Sequence, residues 1–333
     1  MEKEIDVDFV EGKGPMFIFV HGLGLDKNVW ITPEKSMVLA GCYPISVMLA
    51  KPPPDRVVEK DEPVEPLTSG IGPNRLSTLF HDLSERGFSC LAFNQRRPAN
   101  VIAYAIDDIM ELIGKFTDYT RSGVFLVGHS RGGVIARTYA ETYGGVLGFI
   151  TLSSPHGGSN LAKWAKSVSR FTSVVLPLMN NTEKGTLMHG TKRLLTYIGS
   201  NAVEELLPES SFIASLSRVK PGDMFAMSAG CSKAGLFTIY RAKKTPDAVR
   251  EGFSSVTYKK LLSVPESLLP FIPDNIIPEE LLDSLGDGMV SVKSSRIPYA
   301  DVHLVYPLNH VEVLFDQSVR SDALNALRDN KII

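Results

Sequence analysis

The residues best able to do chemistry lie in one short turn at 128–132, where Gly128 and Gly132 flank Ser130 at one residue's distance. The turn follows an apolar, partly β-branched run and precedes a stretch with helical spacing. A serine on a sharp strand-to-helix turn has an exposed hydroxyl, which suits a nucleophile. A simple structural turn is the alternative. Because strand, glycines and helix occur in the required order, we predict that the turn presents Ser130 as a nucleophile.

A serine hydroxyl is a weak nucleophile unless a general base takes its proton, so the chain must supply a histidine. Among the seven histidines, His310 follows the last predicted strand by a few residues and has the best position for a base. His129 lies inside the turn and is not expected to reach the hydroxyl of its neighbour. His303 lies within an apolar run and is predicted to be a core residue.

The histidine needs a carboxylate to orient it, and three aspartates near the C-terminal part of the chain are candidates. Asp287 lies between Gly286 and Gly288, which allow a carboxylate to project from a tight loop. A solvated Asp-Gly turn is the alternative for this segment. Asp283 and Asp301 are the rival acids.

Attack on a carbonyl also requires donors for the developing oxyanion. The glycine loop at 21–24 directly follows the first predicted strand, and it can direct the Leu23 N–H towards the site. The Arg131 N–H, just after the predicted nucleophile, is the second candidate donor. We predict that the side chain of Arg131 makes a structural ion pair. A plain strand-to-helix turn is the alternative for the glycine loop.

Several short apolar runs predict the strands that position these residues. They cover residues 16–20, 88–93, 124–127, 147–152, 224–227 and 302–306. Near-continuous apolar runs are typical of parallel strands with both faces covered. Apolar residues at helical spacing lie at 102–116 and again after Ser130, so strands and helices alternate. This alternation predicts an α/β fold with a mostly parallel sheet.

Three segments depart from this alternation, and we treat them as decorations of a single domain over residues 1–333. Residues 31–75, with three consecutive prolines, predict an irregular surface insertion, and residues 231–285 predict a second insertion. Residues 159–220 are apolar at helical spacing. They predict a helical lid or cap over Ser130, with completion of the core as the alternative.

The composition excludes several classes of protein. With 44% hydrophobic and 22% charged residues and a net charge of −2, the chain is predicted to be globular, without the basic stripe that nucleic acid favours. Its three cysteines show no metal or disulfide spacing, and no phosphate-cradling glycine motif is present. The N-terminal residues lack a signal-peptide pattern and no apolar run reaches about 20 residues. We therefore expect a soluble protein, by default cytoplasmic with secretion left open.

Taken together, these motifs resemble the α/β-hydrolase superfamily. More narrowly, they are similar to bacterial triacylglycerol lipases and to GPI inositol-deacylase-like hydrolases. The matching pieces are FVHGLG at 19–24, LVGHSRGG at 126–133, ITLSSPHGGS at 150–159, GDGMVSVKSS at 286–295 and LNHVEV at 308–313. The chain order Ser130, Asp287, His310 is that of the superfamily's catalytic triad. The resemblance implies Ser130 as nucleophile, His310 as base and Asp287 as the residue that orients it.

The resemblance also implies a function. We expect a serine carboxylic-ester hydrolase, a lipase or esterase, that acts on a small-molecule or lipid ester of an apolar acyl group, with transient contact with a lipid surface. Trp164 and Phe171, in the predicted lid, would contact the acyl chain. The alternatives are another acyl hydrolase (thioesterase, lactonase, phospholipase or polyester depolymerase) or a non-catalytic binding protein.

No cofactor is predicted. Some lipases of the resembled type bind a structural calcium near the catalytic histidine, and Glu312 and Asp316 lie close to where its ligands would fall. Their pattern departs from the family's, so we predict no metal site.

Overall fold

The computed structural model describes residues 4–38, 43–49, 52, 54–64, 66–69, 76–160, 200–266, 269 and 277–333. The strands are β1 Val7–Val10, β2 Lys13–Val20, β3 Met37–Val38, β4 Tyr43–Pro44, β5 Arg56–Glu59, β6 Leu67–Ser69, β7 Phe88–Phe93, β8 Val124–His129, β9 Gly148–Leu152, β10 Phe225–Cys231, β11 Gly235–Pro246, β12 Phe253–Pro265 and β13 Val302–Tyr306. The helices are α1 Asn28–Ile31, α2 Leu79–Glu85, α3 Ile102–Lys115, α4 Thr117–Thr120, α5 Arg131–Tyr143, α6 Asn201–Glu204, α7 Ser211–Ser215 and α8 Gln317–Asp329. Turns of 3₁₀ helix cover Pro33–Lys35, Ile45–Met48, Glu279–Leu281 and Glu312–Leu314.

The centre of the molecule is a seven-stranded sheet in the order β1-β7-β2-β8-β9-β10-β13. The edge strand β1 pairs antiparallel with β7, and every other pair is parallel. All six strands predicted from the apolar runs belong to this sheet. The predicted α/β fold with a mostly parallel sheet is therefore confirmed, and of its seven strands only β1, which has four residues, was not predicted.

Two apolar layers cover the two faces of this sheet. Alternate side chains of a strand point to opposite faces, so Phe17 and Phe19 of β2 enter one layer and Met16 and Ile18 enter the other. The first layer includes side chains of α2 and α8, and the second includes those of α3 and α5. Because both faces are covered, polar chemistry is confined to the ends of the strands.

A second, four-stranded antiparallel sheet has the order β5-β12-β11-β6. Its long hairpin β11–β12 belongs to the second predicted insertion, and the short strands β5 and β6 belong to the first. The prediction that residues 31–75 are irregular was therefore wrong for their described part. The reason is that these strands are three or four residues long and pair with a hairpin at least 170 positions away, which local sequence does not indicate.

The described end of the predicted lid, residues 200–220, holds α6 and α7. Leu206 and Leu216 of this segment are buried in the same apolar layer as α3 and α5. This part of the segment therefore completes the core, while residues 161–199 lie outside the described residues. Among the described helices, none combines the length and the apolar character needed to cross a lipid bilayer.

Candidate active site

Ser130 lies at the junction between β8 and α5, where the sequence predicts a nucleophile. Its backbone has φ 54° and ψ −128°, a conformation that side-chain-bearing residues rarely adopt. Holding a residue there costs about 1–3 kcal/mol, so the surrounding structure must enforce it. The Ser130 N–H donates to Leu152 O of the neighbouring strand at 2.9 Å, and Ser130 itself is only partly buried. The hydroxyl is therefore presented at the end of the sheet.

Two glycines allow other backbone segments to approach this serine closely. A Cβ at Gly132 would lie 2.2 Å from Val20 O, at the end of β2. A Cβ at Gly22 would lie 2.9 Å from Ser130 Cβ and 3.1 Å from His129 Nδ1. Real Cβ atoms do not approach so closely, so both positions require glycine. The predicted glycine loop thus packs directly against the predicted nucleophile.

Asp287 lies in a tight loop and is fully buried. Its Oδ1 accepts hydrogen bonds from Met289 N at 2.9 Å and from Val290 N at 2.7 Å. The Asp287 N–H in turn donates to Val290 O at 3.1 Å, which closes the loop. These bonds fix the carboxylate and leave its second oxygen, Oδ2, for another partner.

That partner is His310, which is also buried. His310 Nδ1 lies 2.9 Å from Asp287 Oδ2, and the His310 N–H donates to Asp287 O at 3.2 Å. An ionised carboxylate only accepts hydrogen bonds, so Nδ1 carries the proton and Nε2 has a free lone pair. The predicted acid and base are thus brought together, with the ring in the tautomer that a general base requires.

The two rival acids have other partners. Asp283 Oδ1 accepts from Ala234 N at 2.7 Å. Asp301 forms an ion pair with Lys220 at 2.6 Å and accepts from Ala226 N at 2.9 Å. Of the three aspartates considered from sequence, Asp287 is the one that contacts His310.

Within the described residues, no hydrogen bond joins Ser130 Oγ to His310 Nε2. The ring of His129, the residue before Ser130 in the chain, lies 4.8 Å from the His310 ring between centroids. Catalytic hydrogen bonds are often long in free enzymes and shorten once substrate is bound.

The predicted oxyanion donors belong to the two segments that meet at Ser130, the glycine loop and the start of α5. Leu23 follows Gly22, whose Cα packs against the serine. Arg131 is the first residue of α5, and the first amides of a helix have no partner within the helix. These free N–H groups, together with the positive end of the helix dipole, favour a negative charge at this point.

A hydrogen-bond chain ties the two donor segments together through Gln95. The Gln95 side chain donates to His21 O at 2.9 Å, and Arg131 Nη1 donates to Gln95 Oε1 at 3.0 Å. The guanidinium also donates to the carbonyls of Pro98 and Asn100. The ion pair predicted for this side chain is not formed with any described residue. The reason is that its two Nη groups donate to three oxygens of one loop, while the buried Nε has no hydrogen-bond partner among the described residues.

Burial keeps the His21 ring of this chain neutral. It lowers the pKa of His21 to about 4. His21 Nε2 accepts from Gln95 N at 3.3 Å, a bond that requires an unprotonated nitrogen. The loop carrying Leu23 is thus held by a neutral hydrogen-bond network at ordinary pH.

Comparison with known proteins agrees with this architecture. Residues 89–212 match the family model described as palmitoyl protein thioesterase. No curated protein matches the chain in a sequence search. Among solved structures, the propeptide form of lipase BlEst2 from Bacillus licheniformis aligns with a TM-score of 0.50 and 17% identity over 96% of this chain and 53% of that chain. The mature form of BlEst2 aligns with a TM-score of 0.48 and 15% identity over 97% of this chain and 96% of that chain. The metagenomic carboxyl esterase MGS0156 aligns with a TM-score of 0.46 and 13% identity over 96% of this chain and 75% of that chain.

The chain has the α/β-hydrolase fold. The family match and the fold together support acyl hydrolase activity. The finer resemblance to triacylglycerol lipases and GPI inositol-deacylase-like hydrolases stays a prediction.

The sequence analysis missed the role of His129 in this α/β hydrolase. His129 is buried, and its Nε2–H donates to the carbonyl oxygen of His310 at 2.8 Å. Burial, reinforced by the positive charge that His310 can carry, holds the pKa of His129 well below the usual value of 6.5. His129 thus contacts the main chain of the predicted base, a role that the sequence analysis did not assign to it. Its position beside the nucleophile was the signal available in the sequence.

The remaining predicted residues have no demonstrated part in the site. Trp164 and Phe171 lie outside the described residues. Asp316 Oδ1 caps α8 by accepting from Ser318 N at 2.8 Å, and Glu312 Oε2 accepts from Asn309 N at 3.2 Å. Among described residues, no three His, Cys, Asp or Glu side chains are grouped so as to hold a metal ion.

Proposed function

We propose that this α/β hydrolase is a serine hydrolase that cleaves esters of apolar acyl groups through an acyl-enzyme. The observation that carries the proposal is the 2.9 Å hydrogen bond between Asp287 and His310, in a chain that also holds Ser130 in a strained conformation at a strand end. A buried, oriented base and a presented hydroxyl are the two groups that nucleophilic catalysis requires. The family match and the fold add independent support.

In the proposed acylation step, Ser130 Oγ attacks the carbonyl carbon while His310 Nε2 takes its proton. The electron pair of the C=O bond moves to the oxygen, where the amides of Leu23 and Arg131 stabilise the negative charge. The carbonyl then re-forms, the bond to the alcohol oxygen breaks, and His310 returns the proton to the leaving alcohol. Asp287 holds the imidazolium throughout.

Deacylation follows the same route with water as the nucleophile. His310 takes a proton from water, the hydroxide attacks the acyl carbon, and the proton passes to Ser130 Oγ as the ester bond breaks. The products are a carboxylic acid and free enzyme, so no cofactor is needed.

A second candidate is thioester hydrolysis, which the palmitoyl protein thioesterase match favours. The same three residues would act, with a thiol instead of an alcohol as leaving group. A chain that hydrolyses palmitoyl-CoA at least tenfold faster than p-nitrophenyl palmitate, compared by kcat/KM, would support this second candidate over the first.

The decisive experiment is hydrolysis of p-nitrophenyl esters of increasing chain length by the wild type and by Ser130→Ala. We expect activity on long acyl chains and a loss of at least about 10⁴-fold in kcat in the variant. Ser153→Ala is the matched control, because Ser153 also has a positive φ, 47°, at the end of the next strand. The kcat of that control should stay within about threefold of the wild-type value, since the substitution removes only buried packing contacts.

Fluorophosphonate labelling separates the enzyme from a binding protein with the same fold. We expect the wild type and Ser153→Ala to be labelled and Ser130→Ala to remain unlabelled. Labelling of Ser130→Ala, or its full activity, would show that another residue is the nucleophile. Absence of both labelling and turnover in the wild type would favour the binding-protein alternative.

A further inference from the structure

The second sheet has one face that nothing described in the molecule covers. The register of the hairpin places Arg241 directly opposite Lys259, and Lys243 directly opposite Thr257. Opposed residues of an antiparallel pair share a face, so the three cations project on the same side. All three are exposed. We call Arg241, Lys243 and Lys259 the basic face.

The opposite face of the same sheet is buried or partnered. Val58, Tyr240 and Val256 are buried there. Lys244 Nζ donates to Lys60 O and Glu62 O, both at 2.6 Å. Lys260 Nζ forms an ion pair with Glu266 at 2.6 Å. The lysines of this face therefore have protein partners, whereas no hydrogen bond or ion pair joins the three cations of the basic face to any described residue.

Like charges directly opposite each other destabilise a strand pair. Arg241 and Lys259 form such a pair. Among the described residues, the acids on this face are Glu59, opposite Phe253, and Asp247, whose Oδ2 accepts from Ser255 Oγ at 2.9 Å. Phe253 lies six residues from Lys259, about 20 Å along the strand, and Ser255 lies four residues from it. An anionic partner would remove the repulsion that the described residues leave uncompensated.

Exposed apolar side chains accompany these cations. Val57 is 47% and Phe253 38% exposed, both on the side of the basic face. Val249, in the hairpin turn, is 91% exposed, although the turn is ordered by Asp247 Oδ1, which accepts from Val249 N and Arg250 N at 2.8 Å. Cations and ordered, exposed apolar groups on one sheet and its turn suit a lipid surface, where headgroups meet the charges and side chains enter the interface.

We propose that the basic face of the second sheet binds an anionic lipid surface. The basic face lies outside the predicted lid at residues 159–220, and lipid binding by this face does not require hydrolysis. Lys233 N, between β10 and β11, donates to Leu308 O at 3.1 Å, two residues before His310. The docked sheet is therefore tied to the loop of the proposed base. The benefit to catalysis rests on the proposed function, whereas the binding itself does not.

The test uses the full chain carrying Ser130→Ala, so that no lipid is consumed. Binding is measured by co-sedimentation with phosphatidylcholine vesicles containing about one third phosphatidylserine, and with pure phosphatidylcholine vesicles. The test variant adds Arg241→Gln, Lys243→Gln and Lys259→Gln. The control adds Lys13→Gln, Lys35→Gln and Lys331→Gln, which remove the same charge from three exposed lysines on other elements.

We expect binding to the anionic vesicles only, weakened when salt rises from about 0.05 M to about 0.5 M. Each lost cation should weaken binding about fivefold, so the test variant should bind about 100-fold more weakly and the control within about threefold of the parent. The control should keep the parent's thermal midpoint, and the test variant should match or slightly exceed it, since neutralising the opposed pair removes a repulsion.

Three results would overturn the proposal. They are no binding of the parent to anionic vesicles, equal losses in the test and control variants, or binding by the basic face to a DNA duplex but not to vesicles. Absence of esterase activity in the protein with Ser130 intact would contradict the proposed function, and it would not bear on lipid binding by the basic face.

Discussion

The two sheets of the molecule differ in how many of their faces are covered. Strands such as β8 in the central sheet are buried at every residue, whereas β12 of the second sheet has buried residues such as Val256 on one face and exposed residues such as Lys259 on the other. Where both faces are covered, polar groups collect at the strand ends, and Ser130, Asp287 and His310 lie there. Where one face is open, the strands carry charges along their length. The central sheet thus suits chemistry, and the second sheet suits contact with a surface.

The largest effect on activity is expected from Asp287→Asn, in the group of residues at the strand ends of the central sheet. An amide at this position can donate to His310 Nδ1 and thus favour the wrong tautomer, so kcat for ester hydrolysis should fall about 10⁴-fold. Asp283→Asn is the matched control, because Asp283 contacts Ala234 N and not His310. Full activity in Asp287→Asn, or an equal loss in Asp283→Asn, would remove Asp287 from the proposed triad.

A smaller loss is expected when the anchor of His310 is removed. His129→Leu deletes the donor to His310 O, so the base should shift and kcat should fall about 10- to 100-fold with KM nearly unchanged. His129→Gln keeps an N–H donor and should recover part of kcat. Steady-state kinetics on one ester decides the matter, and equal losses in both variants would mean that only packing is involved.

The central sheet should also make the protein sensitive to acid through its buried histidines. Burial lowers the pKa of His156 well below 6.5, and that of His21 to about 4. Below about pH 6.5 the unfolded chain binds protons at these histidines that the folded chain does not. The stability that the neutral rings contribute is therefore present at neutral pH and falls as the pH falls. Each such histidine contributes about 1.4 kcal/mol per pH unit.

Urea midpoints measured at about pH 7 and about pH 5 test this expectation, because the midpoint follows the free energy of unfolding. His156→Gln should reduce the pH dependence by one histidine's share, and an unchanged slope would contradict the assignment. The four strands of the second sheet contain no histidine, so substitutions there should leave this slope unaltered.

The smallest effect is expected in the second sheet, where one substitution should raise the free energy of unfolding instead of lowering it. Lys259→Gln removes the repulsion with Arg241 and should raise the free energy of unfolding by about 0.2–1 kcal/mol. Lys260→Gln, one residue further, breaks an exposed ion pair with Glu266 and should lower it by at most about 1 kcal/mol. Urea titration of both variants checks the signs, and a loss of stability in Lys259→Gln would mean that this lysine has a stabilising partner.

Much of the central sheet could be predicted because its signals are local. Six apolar runs and the glycines around Ser130 each indicate a conformation within a few residues. The four-stranded sheet could not be predicted in this way, since β5 has four residues and is defined as a strand only by its pairing with β12. Short strands carry too little periodicity to be distinguished from loops.

The sequence by itself determined the α/β alternation, the exposed serine between glycines, and a set of histidines and aspartates able to serve it. Only the tertiary structure decided that Asp287, and not Asp283 or Asp301, contacts His310, and that His129 holds the same residue from the other side. It also decided that three cations share an open face. The physical reason is that hydrogen bonds and like-charge contacts act over a few ångströms, between residues whose separation along the chain says nothing of their separation in space.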